Sequence, residues 1–210
     1  MKLPVELKEP GNVPMRESLN SKSLSIMGIP REFHNKTLKD FNTEDEESME
    51  YVKKFVGEYL DALIHKKRRG YQNGLFLYGS NGVGKTMLSC IILKTAYACR
   101  YNCRRVTFTQ YINSYTSSWN KGEPDSLWLK CKSSEYLVIE ELGKEIDSKI
   151  ATPVLEDLLR YREEKGYTTI FCTNLTPSSL EEVYGASVVS LIKGSCTPVM
   201  IVGTDRRFFE

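Results

Sequence analysis

The apolar positions of this chain change their period part-way along it. Met49, Val52, Phe55, Val56, Tyr59, Leu60, Leu63 and Ile64 recur at intervals of mostly three and four, which predicts one amphipathic helix. Thr43 and Glu46 make a capping-box pair at its start, and the basic run Lys66 to Arg69 followed by Gly70 suits its end. Beyond Gly70, short apolar runs alternate with helical stretches. The runs predict strands at Leu75–Tyr78, Arg105–Thr109, Tyr136–Glu140, Thr168–Thr173 and Pro198–Val202. Helices are predicted at Lys85–Arg100, Gln110–Trp119, Thr152–Lys165 and Pro177–Lys193, the last broken at Gly185. Thr152-Pro153 and Thr176-Pro177 each read as a capping residue followed by proline in a first turn. The alternation predicts an α/β fold, a parallel sheet with helices on both faces.

Residues 1–42 carry Pro, Ser, Asn and charge with isolated apolar positions, so they read as an extended arm, and 43–210 as the folded domain. A chain of 210 residues has room for one substantial core. With 29 Lys+Arg against 27 Asp+Glu, the net charge of +2 excludes a sequence-wide field for polyanions, and any nucleic-acid contact is expected to be local. The six cysteines contain no C-x-x-C pair and only two histidines accompany them, which argues against a zinc framework and for free thiols in the cytosol. No uncharged apolar run reaches the length of a membrane span and the N-terminus lacks a signal-peptide core, so a soluble, cytoplasmic protein without a membrane partner is expected.

Chemistry enters at GSNGVGKT, Gly79 to Thr86, which fits G-x-x-x-x-G-K-[ST] and follows the apolar run GLFLY. Glycines at 79, 82 and 84 let successive N–H groups of Gly79, Ser80, Asn81, Gly82, Val83, Gly84, Lys85, Thr86 and Met87 turn toward phosphates at a helix N-terminus. Lys85 is expected to neutralise the β- and γ-phosphates of ATP, and Thr86 to offer its hydroxyl to Mg2+. YLVIEELG supplies the acidic strand such a loop requires: Glu140 for the metal and Glu141 to orient and deprotonate the attacking water. An acidic pair opening a solvated loop has the same letters. The next strand ends at Asn174, a candidate sensor of the γ-phosphate if it adjoins the acidic strand. Tyr111, Tyr115 and Trp119, near Lys121, are candidates for stacking bases, but their spacing describes one helix face and favours core packing over stacking.

Together these segments resemble the AAA+ ATPases of the DnaC and DnaI type, the bacterial loaders of the replicative helicase, and their relatives the IstB transposition helpers. The resemblance runs from about Gly28 to Arg207 and includes GIPREFHNKTLKDF, GLFLYGSNGVGKT, YLVIEELG, LLRYREEKGYTTIFCTNL and GTDRR. It implies a P-loop NTPase sheet of five strands in the order 5-1-4-3-2, assembly into a homo-oligomer in the ATP state, single-stranded DNA held in that assembly, and a replicative helicase as partner; a truncated lid is expected as a departure from that pattern. Two departures bear on activity. Glu140 stands where Asp is usual, and Ser190-Leu191 occupies the place of the family's Ser-Arg, which supplies an arginine finger to the adjacent subunit. Arg160, Arg162, Arg206 and Arg207 are the remaining candidates, Arg207 matching the family's terminal G-x-D-x-R. A transposition helper with the same engine and an ATP-dependent adaptor that scarcely hydrolyses are the competing readings. Asn120-Lys121-Gly122-Glu123 precedes the acidic strand and ends in Glu, which speaks against a GTPase, and the absence of arginine between Asn174 and Arg206 speaks against a nucleotide kinase.

Overall fold

The computed structural model describes residues 19–42, 45–65, 74–118, 126–144 and 148–205. The elements in chain order are α1 (Ser21–Ile26), two 3₁₀ turns (Arg31–Phe33 and Leu38–Asp40), α2 (Glu46–Ile64), β1 (Gly74–Tyr78), α3 (Lys85–Ala98), β2 (Cys103–Thr107), α4 (Phe108–Ser118), α5 (Leu127–Lys132), β3 (Tyr136–Leu142), α6 (Ser148–Glu164), β4 (Thr168–Thr173), α7 (Pro177–Ser195) and β5 (Cys196–Met200). The strands form one parallel sheet in the order β2-β3-β4-β1-β5, the predicted neighbour relations counted from the other edge. Among the described residues no helix is long and apolar enough to cross a membrane.

Side-chain alternation along the strands separates two cores. Leu75, Leu77, Val138, Ile170 and Cys172 face one side, where α2, α3 and the segment before α2 cover them. Phe76, Leu137, Ile139 and Phe171 face the other, under residues of α4, α5, α6 and α7. All six residues of β4 are buried, as expected of a strand paired on both edges and covered on both faces. Each fully buried Leu, Ile, Val or Phe in these layers contributes about 1.5–3 kcal/mol of transfer free energy.

Several boundaries depart from expectation for identifiable reasons. The α2 helix is capped by Asp45, whose carboxylate accepts from the Ser48 N–H at 2.7 Å, so the cap lies two residues beyond Thr43. Thr43 and the closing run 66–70 lie outside the described residues. The β2 strand ends at Thr107 because Thr107 and Gln110 exchange hydrogen bonds, Gln110 N–H to Thr107 Oγ1 at 3.2 Å and Thr107 N–H to Gln110 Oε1 at 3.1 Å. This reciprocal pair opens α4 and turns Phe108 into the core. The α6 helix begins at Ser148 and carries Pro153 in its interior, because Ala151, Val154, Leu155, Leu158 and Leu159 together form its buried face. Gly185 breaks α7 as expected, with φ 80° and ψ 167°. The short α5 was not anticipated. Residues 19–42, grouped with the arm by composition, rest on the domain: Leu24, Met27, Ile29 and Phe41 are buried in the first core.

Candidate nucleotide site

The β1 strand runs out at Tyr78 into the glycine loop, and α3 starts at Lys85 with Gly84 as its N-cap. Gly84 has φ +98°, and a Cβ there would stand 2.7 Å from the Phe41 ring, so both backbone and neighbour demand glycine. Gly82, at φ +71°, is pressed against the Asp205 carboxylate in the same way. Lys85 curls back over the loop, its Nζ donating to Gly79 O at 2.9 Å and Ser80 O at 2.5 Å. A cation is thereby seated on two carbonyls of the glycine loop beside a helix N-terminus, an arrangement that attracts polyanionic oxygen.

The adjoining strands complete the site. Glu140, 3% exposed near the end of β3, takes hydrogen bonds from Thr86 Oγ1 at 2.9 Å on Oε2, and from Ser89 Oγ at 2.9 Å and Arg105 Nε at 3.3 Å on Oε1. Three donors satisfy a carboxylate that burial alone would make costly. Glu141 follows at a bulge: Glu140 pairs with Cys172 and Leu142 with Thr173, so Glu141 is the extra residue and takes φ +60°. Its side chain is half exposed and ion-paired to Lys144 at 3.1 Å. Asn174, just past β4, donates from Nδ2 to Asn81 Oδ1 at 2.8 Å and so touches the glycine loop itself. Thr86, Arg105, Glu140, Glu141 and Asn174 border a cleft of about 500 Å³, together with Pro30, Phe33, Asp40 and Phe41. That volume lies within the range of small-ligand sites, about 300–1,000 Å³.

The Thr86 hydroxyl and the Glu140 carboxylate are hard oxygen donors within hydrogen-bonding distance beside the loop. This suits magnesium, which takes few protein ligands and fills its octahedron with water and phosphate oxygens. Among the described residues no group of three His, Cys, Asp or Glu side chains offers a metal cage of another kind.

No family model matches the chain. It is 24% identical over 160 residues to the replicative helicase loader DnaI of Bacillus subtilis (strain 168), covering 70% of this chain and 51% of that one. It thus spans about half the length of this relative. The crystal structure of the DnaC helicase loader superposes with a TM-score of 0.69 at 21% identity, over 82% of this chain and all of that one. The replication initiator DnaA bound to AMPPCP and single-stranded DNA gives 0.63 at 18%, over 82% of this chain and 50% of that one. The fold is shared with the DnaC loader and with DnaA.

Within this fold one arginine candidate is overturned and the packed reading of one helix face is borne out. Arg162 does not reach outward as a finger: it is fully buried, donating to the carbonyls of Ser134 at 2.7 Å and Thr168 at 2.6 Å and to Thr169 Oγ1 at 2.8 Å. Burial pushes its guanidinium down to about 10. Tyr111 is 1% exposed in the second core, so it offers no face to a base, and Tyr115 packs edge-on to Trp128 at 5.3 Å. Arg160 is exposed and paired with Glu156 at 2.6 Å. Trp119, Asn120, Lys121, Arg206 and Arg207 lie outside the described residues. Ser89 and Arg105 escaped the sequence reading, although both left a trace there: a serine one turn after Thr86 in the apolar stretch 87–93, and an arginine inside a strand next to the acidic one.

Proposed function

We propose that the cleft binds ATP with Mg2+ and hydrolyses the nucleotide, and that the chain acts in DNA replication as a helicase loader, assembling with copies of itself on single-stranded DNA and a replicative helicase. The observation that carries the reading is the hydrogen bond between Thr86 and Glu140 beneath the loop that seats Lys85. A hydroxyl and an ammonium from the first two residues of α3 meet there a carboxylate from β3. The loader role rests on similarity to DnaI and DnaC, proteins described as helicase loaders. Contact with the helicase falls to residues 1–42 or to α2.

In this reading the N–H groups from Gly79 to Met87 and the Lys85 ammonium hold the phosphates, and Thr86 and Glu140 hold the metal, Glu140 through water. Magnesium, when bound, neutralises phosphate charge as it develops. Glu141 orients and deprotonates the attacking water, and Asn174, already against the loop, registers the γ-phosphate. Arg207 is the remaining candidate for a trans or sensor arginine. The bulge at Glu141 and its ion pair with Lys144 favour a second reading, an adaptor that binds ATP and turns it over slowly. An IstB-like transposition helper shares the same engine and differs in its partner.

The test is titration with ATP and Mg2+ by calorimetry, followed by steady-state turnover with and without single-stranded DNA. Lys85→Ala is expected to lose at least about a hundredfold in affinity, because phosphate charge is left uncompensated. Unchanged affinity in that variant defeats the nucleotide reading. Rapid DNA-stimulated turnover abolished by Glu141→Gln defeats the adaptor reading, and recovery of a transposase in place of a replicative helicase from the native host defeats the loader assignment.

A further inference from the structure

Lys94 lies on α3, more than two turns beyond the glycine loop, and is 2% exposed. Among the described residues its ammonium meets no carboxylate at ion-pair distance. Instead Nζ donates to the carbonyls of Phe33 at 2.8 Å, His34 at 3.2 Å and Lys36 at 2.5 Å. Three N–H donors thus meet three carbonyls of one turn, the full donor capacity of a lysine.

That turn belongs to a segment whose local shape is already stitched. His34 Nε2 pairs with Ile29 O at 3.0 Å, and Asp40 accepts from the N–H and hydroxyl of Thr37 at 2.7 and 2.8 Å. Phe41 then wedges against Gly84. The same segment sends Pro30, Glu32, Phe33, Asp40, Phe41 and Asn42 to the cleft bordered by the glycine loop, with Lys36 the cation among them. Apolar rings and carboxylates are poor partners for phosphate and good partners for a flat base and ribose hydroxyls.

We propose that Lys94 is a positioning residue for the nucleoside end of the ligand, gathering the 33–36 turn onto α3 so that residues 30–42 stand as a wall of the cleft. This rests on the ATP reading above. The phosphate end is served by the loop, Lys85, Thr86 and Glu140, none of which Lys94 touches. Removing the Lys94 ammonium therefore separates recognition of the nucleoside from recognition of the phosphates.

The test uses the full chain with ATP and with inorganic tripolyphosphate, each with Mg2+, titrated against wild type, Lys94→Met and Lys94→Gln. Lys94→Met is expected to weaken ATP by about tenfold while tripolyphosphate stays within about twofold. Lys94→Gln, which keeps two N–H donors, is expected to fall between. Equal losses for both ligands would mean a general packing role and overturn the proposal, as would no loss for either. Should the variants fail to fold, hydrogen exchange on the wild-type chain decides: ATP slows the amides of residues 33–41 and tripolyphosphate does not, and equal protection by the two overturns the proposal. Wild type that binds neither ligand overturns the ATP reading itself, and the positioning role with it.

Discussion

Among the described residues each face of the sheet buries one cation that is held by carbonyls, and the two do opposite things. On the face of α4 to α7, Arg162 takes the carbonyls of Ser134 and Thr168 and the Thr169 hydroxyl, joining the turns that lead into β3 and β4 at the end of the sheet away from the cleft. On the face of α2 and α3, Lys94 takes three carbonyls of a segment that borders the cleft. A planar guanidinium with five donors fixes several strands' entry points at once, whereas an ammonium on a flexible stem gathers a single turn. Scaffold and site are thus supported by the same chemistry applied at opposite ends of the strands.

The sharpest break of that comparison is Arg162→Ala. It leaves several buried carbonyls and a hydroxyl without donors and removes a large, fully buried side chain, so a loss of about 3–5 kcal/mol in urea-unfolding free energy is expected. Variant that remains folded should keep its ATP affinity, because Arg162 touches nothing in the cleft. A loss smaller than about 1 kcal/mol would show that the turns before β3 and β4 are held by the strands alone.

Arg162 also shows where sequence stops being legible. On an amphipathic helix, an arginine in LLRYREEKG reads as solvent-facing, and only the fold reveals that its position meets the ends of two strands. The glycine loop and the acidic strand were readable because their letters encode backbone turns and charge directly, and the sheet order followed from the resemblance those letters carry. The fate of residues 19–42 was not, since isolated apolar residues such as Leu24 and Phe41 carry no period until the core receives them. Thr107 and Gln110 were readable as a capping pair and were passed over, so β2 was expected two residues late.

A middle-sized effect separates the two cations by pH. Burial pushes the Lys94 ammonium down to about 8 from 10.5, with Cys90 and Asp40 nearby opposing the shift, and pushes Arg162 to about 10 from 12.5. For Lys94 the unfolded chain binds the extra proton between pH 8 and 10.5, so its contribution to stability rises with pH across that window and is lost as pH falls through 8. The buried thiols of Cys90, Cys131 and Cys196, pushed up to about 12 from 9, act in the opposite sense: their contribution is complete below pH 9 and is lost as pH rises toward 12. Wild-type stability is therefore expected to decline above pH 9. The difference between wild type and Lys94→Met isolates the lysine and is expected to shift in favour of wild type by about 1–2 kcal/mol from pH 8 to 10. A flat difference would mean that the ammonium keeps its proton throughout.

The smallest effect lies beside the cleft, where two neighbouring carboxylates meet unlike surroundings. Glu140 is buried and held by Thr86, Ser89 and Arg105, whereas the bulge turns Glu141 out to a half-exposed pair with Lys144. An exposed pair of that kind contributes at most about 0.5–1 kcal/mol, so Lys144→Ala is expected to leave the urea midpoint almost unmoved. Its effect should appear in turnover instead. Freed of its ammonium partner, the Glu141 carboxylate can swing toward the cleft that it already borders, so a severalfold faster turnover at unchanged ATP affinity is expected. Slower turnover in Lys144→Ala would place Lys144 among the groups that assist the reaction, and the ion pair would then be a resting position of two working residues.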